Sequence, residues 1–264
     1  MRVYVDGIGL LAPGLNGWTA SGLTLSGAAP YVTAPLLIPP LDLLPPAERR
    51  RTPTVVKLAL TVASEALANA NCPAAHVATV FTSSGGDGEV IHQICAALAE
   101  PGREVSPTRF HNSVHNAPAG YWGIATGCRE PSTSLCAYDA SFAAGLIEAA
   151  SQVQVENRAV LLIAYDSPYP EPLNSARPIF AVGGIAMLLS PEQTPRSLSA
   201  IDIRIMPIGG EATSMAQPGL EVLRSGIPSM RGLPILAAIA ARCSGAMVIP
   251  YVGENAVAVD VKLC

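Results

Sequence analysis

Hydrophobic residues along the chain follow two different spacings, and each spacing predicts a different element. Apolar positions three and four residues apart predict helices from Pro53, from Asp87, after Pro118 and over residues 141–152. Short apolar and β-branched runs predict strands, which fall at residues 3–9, 78–81, 132–137, 159–164, 184–189 and 200–206. Because strands alternate with helices over most of this length, we expect an α/β layered domain.

Two segments lack a hydrophobic period and are rich in Pro, Gly and Ser. Residues 10–52 predict a meandering surface segment, and residues 207–232 predict a long loop or lid. The chain then closes with a predicted helix at 233–242 and a hairpin whose strands are 246–251 and 256–263.

Composition and charge narrow the classes of function. Half of the 264 residues are hydrophobic and the formal net charge is -4, so no basic surface for a nucleic acid is expected. The apolar run at 36–44 is interrupted by prolines, which excludes a membrane-spanning helix there. The six cysteines have no metal-binding spacing, and the chain starts on a strand pattern rather than a leader. These features predict a cytoplasmic protein with reduced thiols, no metal and no cofactor.

Several short motifs resemble the β-ketoacyl synthase family. They are the opening strand Val3–Gly9 with Pro13-Gly14, the run Phe110-His111-Asn112-Ser113, the pair Ala119-Gly120, and Pro131-Ser132 preceded by Glu130 where the family has glycine. From Ala119-Gly120 onward the spacing matches the family without a gap, which places Asp139 at the position of the reactive cysteine. Residues 251–256 resemble a degenerate form of the Gly-Gly-x-Asn-Ala turn near the end of the family's sequences.

The resemblance implies a thiolase-like fold with α/β/α layers, in which the first half is complete and the second half is truncated. Residues 1–205 would form the ketosynthase-like N-terminal half. Residues 206–264 would be a reduced C-terminal remnant with a loop, a helix and a closing hairpin.

The chemistry of the family requires groups that this sequence does not place where they are needed. Condensation needs a nucleophile that carries the acyl chain as a thioester, and histidines that stabilise negative charge on oxygen. The family's histidines follow the cysteine, whereas the four histidines here all precede Asp139. We therefore expect no catalytic residue, and we expect the Asp139 carboxylate to cap the helix that follows it.

Two alternatives remain open at this point. Cys136 would be the nucleophile if the register slipped, although an offset of three residues on a strand places it on the opposite face. His111 and His115 have the spacing of a metal pair on a helix, but Pro118 and the family match favour a loop or the start of a helix there.

Ketosynthase relatives without the cysteine are chain-length factors, and this chain looks most like the short kind that accompanies aryl-polyene synthesis. The resemblance implies a heterodimer with an active β-ketoacyl-ACP synthase, and an acyl carrier protein that docks on the complex. It implies a gate that limits chain length, formed by Asp87, Val90, Ile91 and Ile94, unless these apolar residues belong to the core.

The partner interface implied by the family lies near the strand at residues 132–137. We expect Tyr121, Trp122, Ser134, Cys136 and Tyr138 to belong to it, with a buried core role as the alternative for the aromatic pair. The rival functions are a stand-alone malonyl-ACP decarboxylase or acyltransferase, and a homodimeric scaffold.

Overall fold

A computed structural model describes residues 1–264, and its centre is one mixed β-sheet. The strands are β1 (Arg2–Ala12), β2 (Leu15–Asn16), β3 (Ala78–Thr82), β4 (Ser132–Leu135), β5 (Val160–Asp166), β6 (Gly183–Ser190), β7 (Ser199–Pro207), β8 (Gly245–Pro250) and β9 (Asn255–Leu263). The helices are α1 (Trp18–Leu25), α2 (Pro46–Arg51), α3 (Thr54–Asn69), α4 (Gly88–Ala99), α5 (Pro107–Asn112), α6 (Ala117–Thr126), α7 (Ser141–Glu156), α8 (Leu173–Ala176), α9 (Pro218–Gly226) and α10 (Leu233–Ala240).

The order of strands across the sheet is β4-β3-β5-β6-β1-β7-β9-β8, and β2 pairs only with β1. β3 runs parallel to both β4 and β5, whereas every other pairing is antiparallel. β4 and β8 are therefore the two edges of the main sheet. The side chain and backbone of Thr213 hydrogen-bond to the backbone of Val248 on the β8 edge.

Helices cover both faces of the sheet and create two hydrophobic clusters. One cluster is built around α3 and the other around α7 and α10. α3 lies unusually close to β1 because Gly7 and Gly9 have no side chain. A Cβ atom at Gly9 would overlap the carbonyl oxygen of Val62, so only glycine allows this approach.

The layered α/β arrangement predicted from the sequence is confirmed. The expected division at residue 205 falls inside β7, which pairs with β1 on one side and with β9 on the other. Residues before and after that point consequently share one sheet and one hydrophobic cluster.

The prediction of an unbroken loop at 207–232 was wrong. The second half of this segment forms α9 and a 3-10 helix at Pro228–Gly232, and it buries Leu220, Leu223 and Met230. Nine helical residues that start with Pro-Gly are too short to show a clear period. The segment 10–52 likewise contains α1 and α2.

No helix combines the length and the apolar character needed to cross a membrane.

Candidate functional site

Asp139 lies in a tight turn between the edge strand β4 and the start of α7. Tyr138 adopts a left-handed backbone with φ 54°, which is uncommon for a residue with a side chain. Ser141 holds the turn, since its Oγ donates to Tyr138 O at 2.6 Å and accepts from Ala137 N at 3.0 Å. The result is a sharp bend that leaves 49% of the Asp139 side chain exposed.

The predicted cap role of Asp139 was wrong. No side chain caps the first turn of α7, and the Asp139 carboxylate is instead directed at two arginines. Arg177 Nη2 donates to Asp139 Oδ1 at 2.8 Å, and Arg231 Nη2 lies 3.7 Å from Asp139 Oδ2. Because a fixed cation attracts a carboxylate more strongly than the partial charges of free amides do, the ion pair replaces the cap.

Arg177 is held in place by two aromatic rings. Its guanidinium carbon lies 3.6 Å from the centroid of the Tyr138 ring, a cation–π contact, and its Nη1 donates to the Tyr169 hydroxyl. Tyr169 packs over Gly85 and Gly88, where a Cβ atom would overlap its ring. A continuous set of contacts thus runs from Asp139 to the turn that precedes α4.

Cys136 does not lie on the opposite face of a shared strand, because β4 ends at Leu135 and Asp139 belongs to the turn. The Cys136 thiol is exposed and contacts the carbonyl oxygen of Ser84 at 3.4 Å. Strand alternation therefore does not exclude Cys136, and only the spacing of the surrounding motifs assigns the nucleophile position to Asp139.

The predicted gate residues occupy the first two turns of α4. The Asp87 carboxylate caps the helix by accepting from Val90 N at 3.0 Å, and burial raises the pKa of Asp87. Val90 is buried, Ile94 is half-buried, and Ile91 is 44% exposed. The core alternative therefore holds for Val90 and not for Ile91.

A cleft of about 390 Å³ adjoins the N-terminal turn of α4. Its lining includes Asp87, Val90 and Gln93, together with Arg51 and Arg109. The cleft is lined mainly by polar side chains, so it is not an apolar tunnel within this chain alone.

The residues predicted at the partner interface divide into two groups. Ser134, Cys136 and Tyr138 lie on or just after the edge strand β4, and Cys136 and Tyr138 are exposed. Tyr121 and Trp122 are each only 2% exposed and pack in the cluster around α3, so an interface role for them was wrong. The Tyr121 hydroxyl donates to Asn112 at 3.0 Å inside that core.

No motif in the sequence pointed to Asp166, which is buried at the end of β5. Its carboxylate accepts from Ser84 N at 2.8 Å, Ser84 Oγ at 2.7 Å and Ser229 N at 2.7 Å. Burial raises the pKa of Asp166. This residue joins the turn before α4 to the 3-10 helix that carries Arg231.

His111 and His115 do not form a metal site with other residues. The structure brings together no group of three or more His, Cys, Asp or Glu side chains suited to a metal ion. His115 Nε2 instead lies 3.0 Å from the carbonyl oxygen of Leu135 at the end of β4.

Comparisons with solved structures support the fold. A chain of the complex of a ketosynthase with its chain-length factor from Xenorhabdus doucetiae has a TM-score of 0.73 and 22% identity, covering 98% of this chain and 99% of its own. A chain of the ishigamide ketosynthase/chain length factor has a TM-score of 0.73 at 14% identity, covering 100% and 99%. A chain from a type II polyketide synthase acyl carrier protein in complex with its ketosynthase has a TM-score of 0.74 at 11% identity, with the same coverage.

At sequence identities this low, the structural similarity establishes a common fold and leaves the activity open. No curated protein matches the chain in sequence. Residues 26–218 match the family described as the β-ketoacyl synthase N-terminal domain, a range that includes the turn at Asp139, α4 and β4. The chain belongs to the β-ketoacyl synthase family.

Proposed function

We propose that this chain is a non-catalytic chain-length factor that forms a heterodimer with an active β-ketoacyl-ACP synthase and shapes its acyl tunnel. The observation that carries the proposal is the uncharged edge strand β4, together with the exposed apolar side chains of α4. The complex would act in polyketide synthesis of the aryl-polyene type, and an acyl carrier protein would deliver its substrates.

The β4 edge differs from the strands behind it. None of its four residues is buried, whereas all residues of β3 and β5 are. An exposed edge strand offers unpaired backbone groups to a second chain, and evolution normally shortens, charges or covers such an edge. β4 is short, but it carries no charged residue, which favours pairing with a partner.

The surface of α4 is also unlike that of a solvated helix. Apart from Glu89, its exposed positions are largely apolar or uncharged, with Ile91 44% and Leu98 50% exposed. Phe110 on the neighbouring α5 is 70% exposed. Exposed apolar side chains of this size on two helices in contact favour an interface with another protein.

The same helix supports the proposed gate. Val90 and Ile94 turn toward the body of the protein while Ile91 points outward, so α4 can contact a partner and line a cavity shared with it. Asp87 fixes the start of the helix by capping it. We propose that Asp87, Val90, Ile91 and Ile94 limit the length of the chain that the partner extends.

The absence of catalysis is proposed from the environment of Asp139. A carboxylate would form an acyl anhydride, which hydrolyses far more readily than a thioester. Its ion pair with Arg177 also reduces its nucleophilicity, because the cation stabilises the free carboxylate.

Three of the similar structures carry names that refer to ketosynthase complexes, and two of those names include a chain-length factor.

Co-expression with an active β-ketoacyl-ACP synthase from the same organism tests the proposal. We expect one heterodimer on size-exclusion chromatography, and we expect Ser134→Pro to abolish it, because the Ser134 N–H lies on the side of β4 that faces away from β3 and proline removes that donor from the free edge. The matched control is Val252→Pro, which places a proline in the exposed turn between β8 and β9, away from the β4 edge.

A chain that remains homodimeric beside that ketosynthase would support the scaffold and overturn the heterodimer. Decarboxylation of malonyl-ACP by the pure chain would support the stand-alone enzyme instead.

A further inference from the structure

Arg231 has fewer partners than any other charged group near Asp139. Only 18% of its side chain is exposed, and its Nε is enclosed with no hydrogen-bond partner. Its ion-pair partner is Asp139, whose Oδ2 lies 3.7 Å from Arg231 Nη2, which is too long for a hydrogen bond. A guanidinium carries five N–H donors in a planar fork and is always charged, so leaving them unused in a largely buried position is costly.

The local charges do not balance. Arg224 is matched by Glu221, which accepts from its Nε at 2.7 Å and from its Nη2. Arg177 and Arg231 are left to share the single carboxylate of Asp139. The cluster therefore holds one positive charge in excess, and Arg177 also keeps an enclosed Nε without a partner.

The cluster is open to solvent on the side of Asp139. Half of the Asp139 side chain is exposed, and the terminal nitrogens of Arg231 are not among the enclosed polar atoms. A small anion could thus reach the guanidinium of Arg231 past the carboxylate. An anion that binds there must compete with Asp139 for the same donors.

We propose that Arg231 and Arg177 form an oxyanion site at the position of the family's nucleophile, which takes the carboxylate or phosphate group of a small ligand. The planar fork of arginine matches both groups through paired N–H···O hydrogen bonds. The site needs only residues of this chain, so a test of anion binding does not depend on whether the heterodimer forms.

Isothermal titration of the full chain with malonate, and in a separate arm with inorganic phosphate, tests the site. We expect saturable binding that weakens as salt rises. Asp139→Asn should tighten binding about tenfold, because it removes the competing charge and keeps the size of the side chain. A purely structural ion pair would not produce this gain.

Arg231→Met should abolish binding and Arg231→Lys should retain part of it, since the charge remains without the fork. The matched control is Arg158→Met, which removes an arginine that is paired with Glu130 and Glu156 at the far end of α7. Thermal unfolding of each variant confirms that it is folded.

Preference for malonate or for phosphate would identify which oxyanion the site takes. No binding of either anion to the wild type and to Asp139→Asn would overturn the proposal. It would equally be overturned if Asp139→Asn weakened binding, or if Arg158→Met reduced it as much as Arg231→Met.

Discussion

At the scale of single residues, Asp166 shows how one buried carboxylate positions several parts of the site. It accepts hydrogen bonds from the turn after β3 and from the 3-10 helix at Pro228–Gly232, while it belongs to the end of β5. Ser229 Oγ also donates to Gly183 O at 2.8 Å, which fastens the same helix to β6. The position of Arg231 therefore depends on a residue that it does not touch.

Asp166→Ala should lower the free energy of unfolding by about 3 kcal/mol, because two buried backbone N–H groups lose their acceptor. Urea unfolding followed by circular dichroism measures the change. Asp42→Ala is the matched control: Asp42 pairs with Arg49 at the surface, and its loss should change stability by less than about 0.5 kcal/mol. Equal effects of the two substitutions would contradict the role of Asp166.

Asp139 permits a different prediction at the same scale. Asp139→Cys alone should not create condensing activity, because the charged neighbours of that position are arginines and no histidine forms an ion pair with it. Mass spectrometry of carrier-bound products, with the pure variant and malonyl-ACP, provides the measurement. Measurable condensation without a partner subunit would show that the proposed loss of catalysis is wrong.

At the scale of elements, the contact between β1 and α3 determines how closely the layers pack. Val62 and Ala66 on α3 present backbone oxygens to Gly9 and Gly7 of β1. Glu65 adds a polar link, since its carboxylate accepts from Leu10 N at 2.9 Å and from Trp18 N at 2.6 Å. Burial raises the pKa of Glu65.

Gly9→Ala should destabilise the protein by about 3 kcal/mol, or prevent soluble expression, because the new methyl group would force α3 away from the sheet. Gly22→Ala is the matched control, as Gly22 lies inside α1 with open space around it. That substitution should raise stability by about 0.5 kcal/mol, since alanine favours the helix. Thermal unfolding compares the two, and a tolerated Gly9→Ala would contradict the close approach.

At the scale of the whole molecule, the two edges of the sheet differ. The β8 edge is hydrogen-bonded to Thr213, whereas the β4 edge is uncharged and has no further strand beside it. The molecule thus has one sheet edge suited to another subunit. The turn with Asp139 directly follows that edge strand.

Elements with a clear hydrophobic period could be predicted from the sequence, because burial on one face produces the period. α3, α7, β5 and β6 are examples, and the layered fold follows from their alternation. α9 could not be predicted in this way, since it is short and starts with proline.

The site was only partly predictable. Motif spacing identified Asp139, but Arg177 and Arg231 reach it through tertiary contacts that leave no local pattern. Tyr121 and Trp122 were misplaced because aromatic residues suit a core and an interface equally well, and only the packing of α6 on α3 decides between them.

The pairing of β1 has a consequence for synthesis on the ribosome. β1 is made before its main neighbours β6 and β7, so most of its length stays unpaired until much of the chain has been synthesised, and only its last two residues pair early, with β2. Contacts so distant in sequence fold slowly and expose apolar strands to aggregation in the meantime. Yield in a heterologous host should therefore depend on translation speed and chaperone supply more than on the stability of the finished fold.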